Sequence, residues 1–197
     1  MDEKIANAVC VYCSSSSSCD PKYHAEAREL GRLLARDGRV VIYGGSRIGS
    51  MGALADGALA AGGRVIGVLP RFLQERERSH ARLTELHVVD DMRIRKQWML
   101  SRSAAVIALP GGCGTFDELL EAVTLKRLGL YHGPIVLVNS SGYFDALLSV
   151  FDGAVRERFM DAADRHLWHV VADVAAVLPA LPASTRPAGA GRPGVAP

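Results

Sequence analysis

The segment Pro110-Gly-Gly-Cys-Gly-Thr-Phe-Asp-Glu118 concentrates groups that can hold and stabilise charge. Gly111, Gly112 and Gly114 bring bare backbone N–H groups to the start of a helical pattern, the end whose dipole favours an anion. Thr115 is suited to cap that helix and to hydrogen-bond a phosphate oxygen. Glu118, three residues on, shares a helical face with Thr115. The same spacing fits a capping box in which Glu118 satisfies the Thr115 amide, although three glycines ahead of the cap exceed what capping requires. A second turn, Tyr43-Gly-Gly-Ser-Arg-Ile-Gly-Ser-Met-Gly52, carries Gly44, Gly45, Gly49 and Gly52, which let the backbone approach a ligand. A third, Cys13-Ser-Ser-Ser-Ser-Ser-Cys19, offers small hydroxyls for capping or ligand binding, or is simply a polar loop. Arg93, Arg95 and Lys96 open a further helix, the end where positive charge is least favoured. A nearby anion, or pairing with Asp90 and Asp91, accounts for them equally well.

These turns need elements to aim them. Short apolar runs at Ala8–Tyr12, Val40–Tyr43, Val65–Leu69, Leu86–Val89, Ala104–Leu109, Ile135–Val138 and His169–Val171 read as strands. Between them, helical patterns are expected at Pro21–Arg36, Met51–Ala61, Met92–Ser101, Phe116–Leu128, Tyr143–Arg158 and Asp173–Leu181. The alternation predicts an α/β, Rossmann-like doubly wound and mainly parallel sheet with helices on both faces. In such sheets ligands sit at the carboxyl ends of strands, where the strand order reverses. Arg71–Leu83 is charge-dense and reads as a loop or short helix. Residues 1–181 form the expected single domain, and Pro182–Pro197, rich in Pro, Gly and Ala, reads as a disordered tail.

Composition removes several classes. The 197 residues are 49% hydrophobic, enough for one core, and the formal charge of +2 leaves no basic field for nucleic acid. No apolar run reaches the ~18 residues that cross a bilayer, and the N-terminus lacks the pattern of a signal peptide, so a cytoplasmic location without membrane contact is expected. A dinucleotide reading of the second turn would want an acidic residue after the following strand. None stands between Gly57 and Gln74, and the turn follows the second strand, not the first. Cys10 and Cys13 are spaced C-x-x-C, but positions three apart on a strand face opposite ways, so no metal knuckle or disulfide is expected.

Together, Pro110-Gly-Gly-x-Gly-Thr-x-x-Glu118, Arg95-Lys96 and Gly44-Gly45…Met51-Gly52 closely resemble the Lonely Guy family, the cytokinin riboside 5′-monophosphate phosphoribohydrolases often mislabelled lysine decarboxylases. The resemblance runs from about Val9 to Val155. It implies a homodimer that splits the N-glycosidic bond of an adenosine-type 5′-monophosphate, releasing base and ribose 5-phosphate with no cofactor or metal. By position, Arg95 and Glu118 match the family's catalytic pair. Lys96 and the run Gly112, Cys113, Gly114 and Thr115 match its nucleotide-binding groups. Arg76-Glu77 matches an Arg-Glu whose Glu contacts substrate, and Thr124 matches a further binding position on another face of the Glu118 helix. Ser14, Ser46-Arg47, Arg93 and Leu125 depart from common family residues, which bears on pocket shape and base preference. The helix N-terminus and Arg95 are expected to keep Glu118 ionised, beside the sugar carbon that develops positive charge. A broader purine monophosphate nucleosidase, or a non-catalytic nucleotide or pterin-cofactor carrier, are the competing readings.

Overall fold

Hydrophobic runs too short for helices form strands in the computed structural model, which describes residues 5–74 and 79–184, and the central ones, apolar on every residue, are buried on both faces. The strands are β1 (Ala8–Tyr12), β2 (Val40–Tyr43), β3 (Val65–Pro70), β4 (Glu85–Val89), β5 (Ala105–Ala108), β6 (Ile135–Val138) and β7 (His169–Val171). They form one sheet in the order β4-β3-β2-β1-β5-β6-β7, and each neighbouring pair is parallel. The fold class expected from the alternation is therefore the one observed.

Successive side chains of β1 enter different cores, as a period of two requires. Val9, Val11 and Cys13 pack with Ala27, Leu30 and Leu34 of α1 (Pro21–Arg36) and Leu54 and Ala58 of α2 (Gly49–Ala60). Ala8, Cys10 and Tyr12 pack on the other face with Met99 of α4 (Met92–Ser101), Leu119 and Ala122 of α5 (Cys113–Arg127), and Phe151 of α6 (Asp145–Arg156). Cys10 and Cys13 thus lie in separate cores. Asp20 caps α1 by accepting from the Lys22 amide, with Pro21 in the first turn. α1 and α2 approach closely because a Cβ at Gly31 would lie 2.1 Å from the Leu54 carbonyl oxygen, and one at Gly57 would lie 1.9 Å from that of Arg28.

Two expectations need correction. The helix expected from Phe116 begins at Cys113. The helix expected at Asp173–Leu181 is instead two short 3-10 turns, Val174–Ala176 and Leu178–Ala180. Pro179 lies in the second and has no N–H to carry an α-helical ladder. Arg71–Leu83 does contain a short helix, α3 (Arg71–Gln74), and the chain is described again from Ser79, which bridges Ser46. Arg76 and Glu77 lie outside the described residues, as does the expected tail from Thr185 onward. No helix among the described residues is long and apolar enough to cross a membrane.

Candidate active site

The strand order reverses between β1 and β5, so the loops leaving these two strands diverge to opposite faces and open a crevice. A cavity of about 340 Å³ occupies it. One wall is Cys13 with Ser14, Ser15 and Ser16 after β1, and the opposite wall is Gly112, Gly114 and Thr115 after β5. Met51, Leu73 and Met92 make an apolar side, and Arg95 and Glu118 complete the lining. The volume falls at the lower end of the ~300–1,000 Å³ typical of small-ligand sites.

Gly112, which provides no side-chain cap, is the N-cap residue from which α5 starts at Cys113. Thr115 therefore sits inside the first turn and is not the cap. Glu118 lies a full turn further in, which removes the capping-box explanation for the pair. First-turn amides have no intrahelical acceptor, so the exposed backbone at Gly112, Cys113 and Gly114 is a ready anion cradle. Gly111 is required sterically, since a Cβ there would stand 2.1 Å from Thr115 Oγ1. The Tyr143 hydroxyl donates to the Gly111 carbonyl at 2.5 Å and holds the loop from behind.

The basic cluster of α4 divides. Asp91 caps the helix by accepting from the Ile94 amide, and Arg93 pairs with Asp91 at 3.7 Å. Arg95 turns inward instead: Nε donates to the Val68 carbonyl at 3.0 Å and Nη2 to the Gly44 carbonyl at 3.0 Å. Nη1 is left toward Met92 Sδ at 3.7 Å and Glu118 Oε1 at 3.8 Å. Arg95 and Glu118 are both 4% exposed. Burial pushes the Glu118 carboxyl up to about 7, and Arg95 opposes that rise without cancelling it. The expectation of a firmly ionised Glu118 is corrected accordingly: desolvation outweighs the guanidinium. A carboxyl poised near neutrality can exchange protons as well as stabilise a cation.

Other expected positions lie outside the cavity. Lys96 Nζ bonds Asp117 at 3.0 Å and also pairs with Glu121, tying α4 to α5. Partial burial pulls the Lys96 ammonium down, but its bonds to Glu121 and Asp117 prevail and raise it. Thr124 is exposed on α5, on a face away from the cavity. Gly44 and Gly45 are buried and absent from the lining, Gly44 serving Arg95 and Gly45 accepting from the His80 amide at 3.2 Å. Cys13 and Met51 belong to the two turns already offered for ligand binding, whereas nothing in the sequence singles out Leu73 or Met92, which join the lining only through the fold.

A family model described as "Possible lysine decarboxylase" matches residues 51–181. The chain is 42% identical over 175 residues to a cytokinin riboside 5′-monophosphate phosphoribohydrolase of Rhodococcoides fascians, covering 88% of each. It is 42% identical over 159 residues to an Arabidopsis thaliana protein of the same name, covering 81% of this chain and 75% of that one. Among solved structures, a molybdenum cofactor carrier protein from Chlamydomonas reinhardtii matches with a TM-score of 0.69 at 24% identity, over 89% of this chain and 96% of that one, a likeness of fold.

Proposed function

The chain belongs to the Lonely Guy family, whose curated relatives are named cytokinin riboside 5′-monophosphate phosphoribohydrolases, and on that premise we propose that it hydrolyses the N-glycosidic bond of an N6-modified adenosine 5′-monophosphate. The carrying observation is the buried Glu118–Arg95 pair at the end of a glycine-built anion cradle. Gly112, Cys113 and Gly114 receive the 5′-phosphate on backbone amides, with the Thr115 hydroxyl beside them. Binding energy from this remote group positions the anomeric carbon at Glu118. As the C–N bond lengthens, positive charge grows on the sugar, and the Glu118 carboxylate stabilises it and accepts a proton from the attacking water. The hydroxyl of water adds to the anomeric carbon as the C–N bond breaks, the departing base takes up a proton from solvent, and Glu118 returns the one it accepted, leaving free base and ribose 5-phosphate. Arg95 orients Glu118 and favours its ionised form.

On this reading no metal or redox cofactor takes part, and the protein acts in the cytoplasm as a homodimer, with neither nucleic acid nor membrane as a partner. Leu128 and Leu130, 66% and 71% exposed beyond the end of α5, are apolar surface that a second copy can cover. Residues 1–181 act as one catalytic domain. Glu77, Lys96 and Thr124 carry their family roles by position only, and Lys96 must leave Asp117 and Glu121 to reach a phosphate. A cofactor carrier can share this fold, but it has no need of a desolvated carboxyl beside an arginine.

Incubation with AMP, GMP and N6-isopentenyl-AMP, followed by chromatography for free base, tests the proposal. Release from the N6-modified nucleotide in preference to AMP and GMP is expected, with activity retained in EDTA and no release from the free nucleosides. Equal turnover of nucleoside and nucleotide would overturn the phosphate cradle. Equal turnover of all three nucleotides would favour the broader nucleosidase.

A further inference from the structure

The glycine pair after β2 reads in sequence as a ligand-cradling turn, yet neither glycine lines the cavity. The Gly44 carbonyl instead accepts from Arg95 Nη2 at 3.0 Å, and the Val68 carbonyl, within β3, accepts from Nε at 3.0 Å. Gly44 and Val68 directly follow the last paired position of the adjacent parallel strands β2 and β3, Tyr43 with Gly67, so the separation of their oxygens is set by the sheet. A planar guanidinium bonded through Nε and Nη2 has its remaining nitrogen fixed in direction. That nitrogen, Nη1, is the one facing Glu118 at 3.8 Å. The space Gly44 leaves empty is filled by the guanidinium, since a Cβ there would sit 1.9 Å from Arg95 Nη2. Met51 Cε and Sδ, at 2.8 and 2.9 Å from the same point, belong to a flexible side chain that can turn away.

We propose that Gly44 is a positioning residue that acts through Arg95, its carbonyl and its missing side chain together aiming Nη1 at Glu118, and that it does not touch the nucleotide. The proposal rests on the phosphoribohydrolase reading for its catalytic consequence, but its structural core does not. Displacing the guanidinium leaves the buried Glu118 carboxyl without its nearest cation, which makes ionisation harder.

Gly44→Ala tests this through three readouts. The Glu118 carboxyl, followed by ¹³C NMR against pH, is expected to titrate at higher pH than in the parent. The turnover number is expected to fall about 100-fold or more, the scale for losing a well-placed electrostatic group, while the AMP dissociation constant changes by less than about threefold. Arg95→Gln removes the group that the new methyl strikes. In that background Gly44→Ala should therefore leave the Glu118 titration unmoved, and should regain folding if the single variant is unstable. An unchanged Glu118 titration in Gly44→Ala, or weakened AMP binding with turnover retained, would overturn the proposal. So would failure of Arg95→Gln to relieve an unfolded Gly44→Ala. Titration and AMP binding need no turnover, so a protein that hydrolyses none of the nucleotides but shows these shifts would defeat the functional reading alone.

Discussion

Glu118 reaches the cavity from the second turn of α5 with Arg95 as its ion-pair partner at 3.8 Å, Lys96 acting on it more weakly, and almost no contact with solvent. Burial holds its carboxyl near 7, about where a group that must be ionised to act begins to lose its charge. The rate constant kcat/KM, which reports the free enzyme, should therefore rise about tenfold per pH unit up to about 7 and then level. Glu118→Gln should lower turnover roughly 100- to 1,000-fold and largely preserve AMP binding, because the cradle amides remain. Its effect on stability has a definite sign. The folded-state pKa is raised, so the folded protein holds its proton between the unfolded value of 4.5 and about 7, where the unfolded chain has released it. That contribution to stability is full below pH 4.5 and is lost as pH rises through 7. The Gln variant should match the parent in acid and melt higher above neutrality, by an energy of at most roughly 3 kcal/mol. A melting difference that does not vary with pH would show that Glu118 does not titrate as described.

At the scale of elements, most of the ladder was legible because short apolar runs between glycine turns leave little choice of period. β1, β2, β6, β7, α1 and α4 stand where the pattern put them. The start of α5 was not legible. Gly112 and Gly114 look like loop in sequence, and only the meeting of β5 with the crevice makes helix from Cys113 the better path. That shift turns Thr115 from a cap into a side chain facing the cavity. The inward turn of Arg95 was also hidden, since its two acceptors, just after β2 and within β3, are remote in sequence from α4. Thr115→Val keeps the branched shape and removes the hydroxyl. It should leave the melting temperature nearly unchanged and raise the Michaelis constant for AMP roughly 10-fold or more, the scale of a hydrogen bond to a charged group. If Thr115 capped the helix, the loss would appear in stability and leave the Michaelis constant alone.

Across the whole molecule, function and domain closure occupy opposite ends of the sheet. The cavity opens at the carboxyl ends of β1 and β5, whereas Arg39, just before β2, lies at the amino ends. Arg39 is 5% exposed and pairs with Asp37 at 2.7 Å, and its Nη2 donates to the Pro182 carbonyl at 2.6 Å. The chain's packing therefore extends slightly past the boundary at Leu181 that composition suggests. Two truncations separate these effects. Ending the chain after Ser184 removes only the Pro-, Gly- and Ala-rich segment, and both melting temperature and turnover should be unchanged. Ending it after Leu181 removes the Pro182 acceptor and leaves a buried guanidinium short of one partner, a loss of about 1–3 kcal/mol. For a domain of this size that lowers the melting temperature by a few to about 10 °C. Turnover per folded molecule should hold in both cases, because among the described residues the cavity lining lies at the other end of the sheet. A rate that falls with the first cut, at unchanged melting temperature, would place part of the site in residues 185–197 and redraw the catalytic domain.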